Sequence, residues 1–348
     1  MSATTRSALR RPLAVGFLPL TDAAPLVVAQ ELGLFARHGV SVNLRREVGW
    51  ATVRDKLRFG ELDAAQALAP MLWSTALGLG GARGELVTAF VLNLNGNAIT
   101  LSRKLRDEGV TDLASLRAVA RARRGERKLT LGVVFSYSSH HLLLRNWLRA
   151  AGLDPERDVR VVIVPPAQVT RNLAAGTLDG FCAGEPWNSL AVAQGLGWCP
   201  AWSAALAPGH VEKVLMVHRD FAERRAAEHA ALLAALAEAA SWCDEPQNRR
   251  PLAELLAQPA YVNQSVEVLA PALEGFFDTG LGREPATDFF IFHRGEANVP
   301  SLERARGLQR DLVASGLIPG DAAVPDLPAR LFREDLHRAA LGATAHSL

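Results

Sequence analysis

The hydrophobic pattern of this chain alternates between short apolar runs and amphipathic stretches. The apolar runs are LAVGF, LDAAQALA, LTLGV and LDGFCAG. Runs of this length and composition are typical of buried parallel strands. The stretches between them place apolar side chains at helical spacing, and two of them end at Gly60 and Gly176, the residue type that most often follows a helix. The alternation predicts an α/β fold with mostly parallel sheets flanked by helices.

The chain contains a partial copy of itself. Residues 51–70 return 116 positions later as residues 167–186, with eight of the twenty residues identical and no gap. A similar apolar run precedes each copy, at 13–17 and 129–133. Each half therefore predicts the order strand, helix, strand, helix, strand, and the duplication predicts two similar lobes that face each other across a cleft.

The repeat also predicts how the chain is divided between the lobes. We expect a discontinuous first lobe made of residues 12–100 and 215–330, and a second lobe made of residues 101–214. A length of 348 residues agrees with two domains. Residues 331–348 are expected to form a C-terminal tail.

Composition and charge narrow the function classes. The net charge is +2, and Lys and Arg are scattered among acids, which argues against a nucleic-acid-binding surface. The three cysteines have no metal-binding spacing and predict a reducing compartment. Arg10 and Arg11 precede an apolar run in the manner of an export signal, but the repeat pairs that run with 129–133 and predicts a core strand. No 18-residue apolar run occurs. We therefore expect a cytoplasmic location.

Ligands of open α/β sheets bind beyond the carboxyl ends of the strands, which here predicts four ligand loops. The loops are residues 18–24, 66–71, 134–141 and 182–188, and they contain Gln66, Ser139, His140, Gly184 and Glu185. Ser138 and Ser139 precede a helix that runs to about Ala150, so they are candidates to cap it and hold an anion.

The residues themselves leave several roles open. Asp22 is expected to cap its own helix, and Glu185 to complement a helix dipole. His140 is either a ligand-binding residue or one of a surface pair. Lys213 either reaches an anion in the cleft or is a solvated charge at a strand edge. Trp50 is expected at a strand end, where its indole N–H can point into the cleft.

Five motifs occur here in a characteristic order: GFLPLTDAAPLVVAQELGLFARHGVSV, WATVRDKLRFGELDAAQALAPM, VLNLNGNAITLS, VPPAQ and DGFCAGEPWN. Together they resemble the nitrate- and bicarbonate-binding proteins of bacterial ABC importers, from about Leu13 to Phe292. The resemblance implies a two-lobed type II periplasmic-binding-protein fold that clasps an oxyanion between its lobes.

The resemblance also implies site residues. It places a tryptophan at Trp50, an amide at Asn97, a histidine at His140 and a lysine at Lys213. This chain has Asn97 where importer members often carry Gln, and SSHH where they usually have Gly-Thr-His. Bicarbonate-binding relatives replace the lysine by an acid and use calcium, so Lys213 implies nitrate or nitrite as the ligand, with no metal or cofactor.

The branch that the chain resembles best is that of the cytoplasmic nitrate/nitrite sensors, the NasS branch. The resemblance implies a sensor that holds an RNA-binding antiterminator of the ANTAR type and releases it when the anion binds. The alternative is the substrate-binding component of a nitrate, nitrite or bicarbonate importer. An enzyme is not expected, because no nucleophile, base and orienting residue fall together.

Overall fold

The computed structural model describes residues 11–125, 127–322 and 324–342. The chain folds around two mixed β-sheets, one in each lobe, which confirms the predicted two-lobed α/β architecture.

The elements follow one another in three stretches of the chain. The first stretch, in lobe 1, comprises β1 (Leu13–Phe17), α1 (Ala24–Glu31), α2 (Leu34–Arg37), β2 (Val42–Arg46), α3 (Trp50–Arg58), β3 (Ala64–Leu68), α4 (Met71–Leu77) and β4 (Leu86–Asn95). Lobe 2 comprises β5 (Asn97–Ser102), α5 (Arg103–Asp107), α6 (Leu113–Ala122), β6 (Leu129–Val133), α7 (Ser139–Ala150), β7 (Val159–Ile163), α8 (Val169–Ala174), β8 (Gly180–Gly184), α9 (Trp187–Ala193), β9 (Gly197–Trp202) and α10 (Ser203–Leu206). The chain then returns to lobe 1 as β10 (Val211–His218), α11 (Arg219–Arg224), α12 (Ala226–Asp244), α13 (Arg249–Ala257), α14 (Val266–Leu273), β11 (Phe276–Asp278), β12 (Arg283–Pro285), β13 (Phe290–Ile291), α15 (Leu302–Ala314), α16 (Leu327–Leu331) and α17 (Glu334–Leu341).

The repeated segments occupy equivalent places in the two lobes. The strand order is β13-β4-β10-β3-β1-β2 in the first sheet and β7-β6-β8-β5-β9 in the second. The parallel order β2-β1-β3 therefore recurs as β7-β6-β8. The repeated aspartate makes an equivalent hydrogen bond in each lobe. Asp63 accepts from the Ala14 backbone amide at 2.9 Å, and Asp179 accepts from the Thr130 backbone amide at 2.8 Å. The apolar run after Arg11 is β1, as the repeat predicts, whereas Arg10 lies outside the described residues.

The two crossovers between the lobes differ from the predicted boundaries. Strand β5 already belongs to the second sheet, and β10 lies wholly in the first, so the chain crosses at about residue 96 and again between residues 206 and 211. The predicted boundaries at 100 and 214 fall inside these strands. Asn95 joins the crossovers, because its Oδ1 accepts from the Gly209 backbone amide at 2.9 Å and its own backbone N–H donates to the His210 carbonyl at 3.1 Å.

The predicted C-terminal tail, residues 331–348, contains an ordered helix. Residues Glu334–Leu341 form helix α17, which packs against α12 and the first sheet. The buried ring of His337 holds it there, with Nδ1 2.9 Å from the Ala89 carbonyl oxygen. Residues 343–348 of the predicted tail lie outside the described residues. No helix in the described ranges is long and apolar enough to cross a bilayer.

Candidate functional site

Two antiparallel strands begin where parallel strands end, and this places the candidate residues together. Lys213 of β10 lies opposite Leu68 at the carboxyl end of β3, and Asn97 of β5 lies opposite Gly184 at the carboxyl end of β8. The N-terminus of α7 brings Ser139 and His140 to the same interlobe cleft, where Ser139 Oγ donates to Glu212. The candidates therefore converge on the edges predicted to bind a ligand.

Lys213 is fully buried between two carboxylates. Its Nζ donates to Asp22 Oδ2 at 2.7 Å and to Glu212 Oε1 at 2.5 Å, and it lies 5.4 Å from the centroid of the Trp50 ring. Burial disfavours the ammonium, but Asp22 and Glu212 outweigh it and raise the pKa of Lys213. Lys213 is thus a buried, charged group of the cleft and not a solvated charge at a strand edge.

Glu212 lies at the centre of a buried polar cluster formed with Lys213, Asn97 and Ser139, and it connects the two lobes. Asn97 Nδ2 donates to its Oε2 at 2.6 Å, Ser139 Oγ donates to the same oxygen, and His210 Nε2 lies 3.3 Å from it. Burial alone would raise the pKa of Glu212, but Lys213 and the neighbouring polar groups hold it well below its usual range. Glu212 therefore stays ionised in the cleft.

Asp22 does not cap its own helix, contrary to the expectation from sequence. Its carboxylate accepts from Lys213 and from Gln66 Nε2, while Gln66 Oε1 accepts from the Leu18 amide at 2.9 Å. Neither short helix around Asp22 has a side-chain cap among the described residues. Burial raises the pKa of Asp22 to about 6 against the opposing charge of Lys213.

Trp50 and His140 bring buried, unpartnered nitrogens into the cleft. Trp50 lies at the start of α3 and not at a strand end, because β2 has already ended at Arg46. Its Nε1 and both ring nitrogens of His140 lack a hydrogen-bond partner among the described residues, although His140 Nε2 lies 3.5 Å from Glu212 Oε1. Burial lowers the pKa of His140 to about 3, so its imidazole is neutral at physiological pH.

Sequence and structure comparisons place the chain in a family. Residues 7–257 match the model of the NMT1-like family. The chain belongs to the NMT1-like family. It is 40% identical to the nitrate import ATP-binding protein NrtC of Synechocystis over 93% of this chain and 49% of that protein. It is 42% identical to the bicarbonate transport ATP-binding protein CmpC of Synechococcus elongatus, over 88% of this chain and 46% of that protein. The chain thus spans about half the length of these two relatives.

A solved structure is similar to this NMT1-like chain over almost its whole length. The crystal structure of the periplasmic nitrate-binding protein NrtA from Synechocystis superposes with a TM-score of 0.89 at 28% identity. The match covers 97% of this chain and 89% of that one. The chain is also 34% identical to the nitrate/nitrite binding protein NrtA of Synechococcus elongatus, over 94% of this chain and 76% of that protein. The periplasmic-binding-protein fold and the nitrate- and bicarbonate-binding protein family implied by the sequence motifs are confirmed.

Gly184 ends β8 and lies beside Asn97 and Asp22, whereas the side chain of the next residue, Glu185, contacts the helix that follows. A Cβ at Gly184 would lie 3.4 Å from both Asn97 Oδ1 and Asp22 Oδ2, so Gly184 lies between polar side chains of the two lobes. Glu185 Oε2 accepts from the Ser189 amide at 3.2 Å, which is the helix-start role that the sequence suggests. Its Oε1 has no partner in the part of the chain that the structure describes, and burial raises the pKa of Glu185 to about 7.

Sequence reasoning missed the two acids that balance Lys213. Glu212 directly precedes Lys213, and an acid beside a lysine in the apolar run VEKVLMV is the signal that could have identified it. The local sequence around Asp22 predicts only a contact with its own helix. The three free cysteines are buried and lie outside the Lys213 contacts described above. In the described ranges, no group of three or more His, Cys, Asp or Glu residues is arranged to hold a metal ion.

Proposed function

We propose that this NMT1-like chain binds nitrate or nitrite in the interlobe cleft, as the substrate-binding module of an anion importer. The observation that carries the proposal is the convergence of Trp50, Asn97, His140 and Lys213 on one buried cleft. These residues come from separate elements of both lobes, so an ion held among them would couple lobe closure to binding.

The chemistry of the cleft suits a small oxyanion. Nitrate is a weakly basic monoanion, so a buried site needs several donors to replace its hydration. The indole N–H of Trp50 and the N–H of neutral His140 are buried without partners among the described residues, as is Thr21 Oγ1. Buried polar groups are normally hydrogen-bonded, and a bound anion would satisfy these donors.

The relatives favour an importer role over the sensor role. NrtC and NrtA are named for nitrate import and nitrate binding, and CmpC for bicarbonate transport. A binding role also agrees with the expectation that the chain is not an enzyme. The ANTAR-type partner and the cytoplasmic location remain predictions from sequence resemblance.

A ligand panel tests the proposal. Purified protein is titrated with nitrate, nitrite, bicarbonate with and without calcium, and sulfate, while melting temperature and tryptophan fluorescence are followed. We expect nitrate or nitrite to raise the melting temperature, because a ligand that binds the folded state stabilises it. Stabilisation by bicarbonate with calcium and none by nitrate or nitrite would contradict the proposed ligand.

A second measurement separates the importer from the sensor. An ANTAR-type protein is mixed with the chain, and co-purification is measured with and without nitrate. The importer role predicts no complex under either condition. A complex that nitrate dissociates would support the sensor instead.

A further inference from the structure

We propose that the cleft takes up one proton together with the anion, and that Asp22 is the residue that receives it. The protonation of Asp22 would then determine the total charge of the cleft with its anion bound. The inference rests on the proposed function and deepens it, because it concerns the same cleft.

The buried cluster formed by Asp22, Glu212, Lys213 and His140 has an excess of negative charge. Asp22 and Glu212 supply two carboxylates, Lys213 supplies one ammonium, and His140 is neutral. All four side chains are buried, with at most 1% of each exposed. The ionised cluster therefore carries a net charge of −1 before a ligand enters. A monoanion would add a second uncompensated negative charge inside a region that solvates charge poorly.

The hydrogen bonds decide which carboxylate takes the proton. Glu212 is fixed as an acceptor by Asn97, Ser139 and Lys213, so protonating it would break the contact between the lobes. Asp22 accepts from Lys213 and Gln66 within the first lobe. Protonated Asp22 leaves Lys213 paired with Glu212 and free to face the anion. Its new O–H can also donate to an anion oxygen.

Asp22 also lies where the two lobes meet, beside Gly184 and Asn97. Its Oδ2 lies 3.4 Å from the position of a Cβ at Gly184, the same distance as Asn97 Oδ1. Burial already brings the pKa of Asp22 to about 6 in the ligand-free protein, and a nearby anion raises it further. Between these two pKa values, binding takes one proton from solvent.

Other titratable groups near the cleft are competitors for this proton. Glu185 is buried at the end of β8, and its carbonyl oxygen accepts from the Thr21 amide at 2.9 Å, next to Asp22. His140 of α7 and His210 before β10 both face Glu212. The contacts described for these three groups do not include Asp22 or Lys213, so they relieve the charge on the ligand less directly.

Calorimetry of the full chain with sodium nitrate tests the inference. Titrations in two buffers with different ionisation enthalpies give the number of protons taken up for each anion bound. We expect close to one proton at about pH 8 and close to none at about pH 5, where Asp22 is already protonated. Between the pKa of Asp22 in the ligand-free protein and its higher pKa in the complex, affinity should fall about tenfold for each pH unit.

Variants locate the proton. Asp22→Asn should bind nitrate with no proton uptake and with an affinity that no longer depends on pH. Asp63→Asn is the matched control, since Asp63 is a buried aspartate of the same lobe that contacts Ala14, Arg11 and Arg225 instead of Lys213. It should retain the uptake. In the wild type, infrared difference spectra should gain a protonated-carboxyl band on adding nitrate, a readout that does not depend on a variant folding.

The outcomes that overturn the inference are distinct from failure of the proposed function. Nitrate binding at about pH 8 without proton uptake overturns it. Proton uptake that persists in Asp22→Asn also overturns it. If the uptake is then lost in Glu185→Gln or His210→Gln, that residue receives the proton instead. A folded wild-type protein that binds no nitrate or nitrite at any pH overturns the proposed function, and this inference falls with it.

Discussion

At the scale of single residues, the cleft is defined by donors without partners and by one ammonium shared between two acids. Trp50 contributes both a ring against Lys213 and an indole N–H with no partner in the described ranges. The ring packs whether or not a ligand is present, whereas the N–H has a use only when an acceptor enters. These two contributions can be separated by substitution.

Trp50→Phe should weaken nitrate binding by on the order of tenfold to a hundredfold, because it deletes a hydrogen bond to a charged group and keeps an aromatic ring. Calorimetric titration measures the affinity. Trp198→Phe is the control, since Trp198 is also buried with an unpartnered Nε1 among the described residues but stacks under Arg106 in the second lobe. Equal affinities for the two variants would remove the Trp50 N–H from the site.

Asp22 gives a prediction for the ligand-free protein. Its pKa rises from 3.8 to about 6 on folding, so its contribution to stability is fully present below about pH 3.8 and is lost as the pH rises through about 6. Asp22→Asn is uncharged at every pH and leaves Lys213 paired with Glu212. Its free energy of unfolding should therefore exceed that of the wild type increasingly with pH, by on the order of 3 kcal/mol more at about pH 7 than at about pH 4. Urea denaturation at both values measures this, and a difference independent of pH would contradict it.

At the scale of elements, the sequence predicted best what is encoded locally. The parallel strands are short apolar runs, which the hydrophobic pattern predicts. Helices α3 and α8 are each followed within two residues by a glycine of positive φ, so the sequence also predicts where these helices end. Duplication then gave the arrangement of each lobe, because equivalent segments fold into equivalent strands.

What could not be read from the sequence depends on pairing between distant segments. Strands β5 and β10 are antiparallel insertions between strands far away in the chain, and their register sets both the lobe boundaries and the position of Lys213. The prediction for Asp22 is wrong for the same reason, since its partner Lys213 is 191 residues away. Nearby sequence offers Asp22 only its own helix.

The first crossover yields a prediction at the element scale. Gly96 has a φ of +100°, and a Cβ there would lie 2.5 Å from Phe290 Cε1. Gly109 has a φ of +92° with nothing within 4 Å of its Cβ position. Both substitutions by alanine should cost about 1–2 kcal/mol for the backbone conformation, and Gly96→Ala about 1–3 kcal/mol more for overlap with Phe290. Denaturant unfolding compares them, and equal losses would show that Phe290 yields without cost.

At the scale of the whole molecule, the lobes contact each other away from the cleft as well as in it. Helix α7 of lobe 2 presents two arginines to the end of α15, which packs on lobe 1. Arg145 Nε and Arg149 Nη2 each donate to the Ser315 carbonyl at 2.9 Å. Cations at the carboxyl end of a helix are stabilised by its unpaired carbonyls and its dipole. The contact crosses from one lobe to the other, so it favours the closed arrangement before any ligand contributes.

The double variant Arg145→Gln/Arg149→Gln should therefore shift the ligand-free protein towards an open arrangement while leaving each lobe folded. Small-angle X-ray scattering should show a larger radius of gyration without nitrate and recovery of the wild-type value with saturating nitrate. Nitrate affinity should fall about tenfold, because binding must then also supply the free energy of closure. Arg121→Gln/Arg127→Gln is the control, since those arginines donate to the carbonyls of Gly152 and Gly176 within lobe 2. Unchanged scattering and affinity in the first variant would mean that closure depends on the cleft and not on α15.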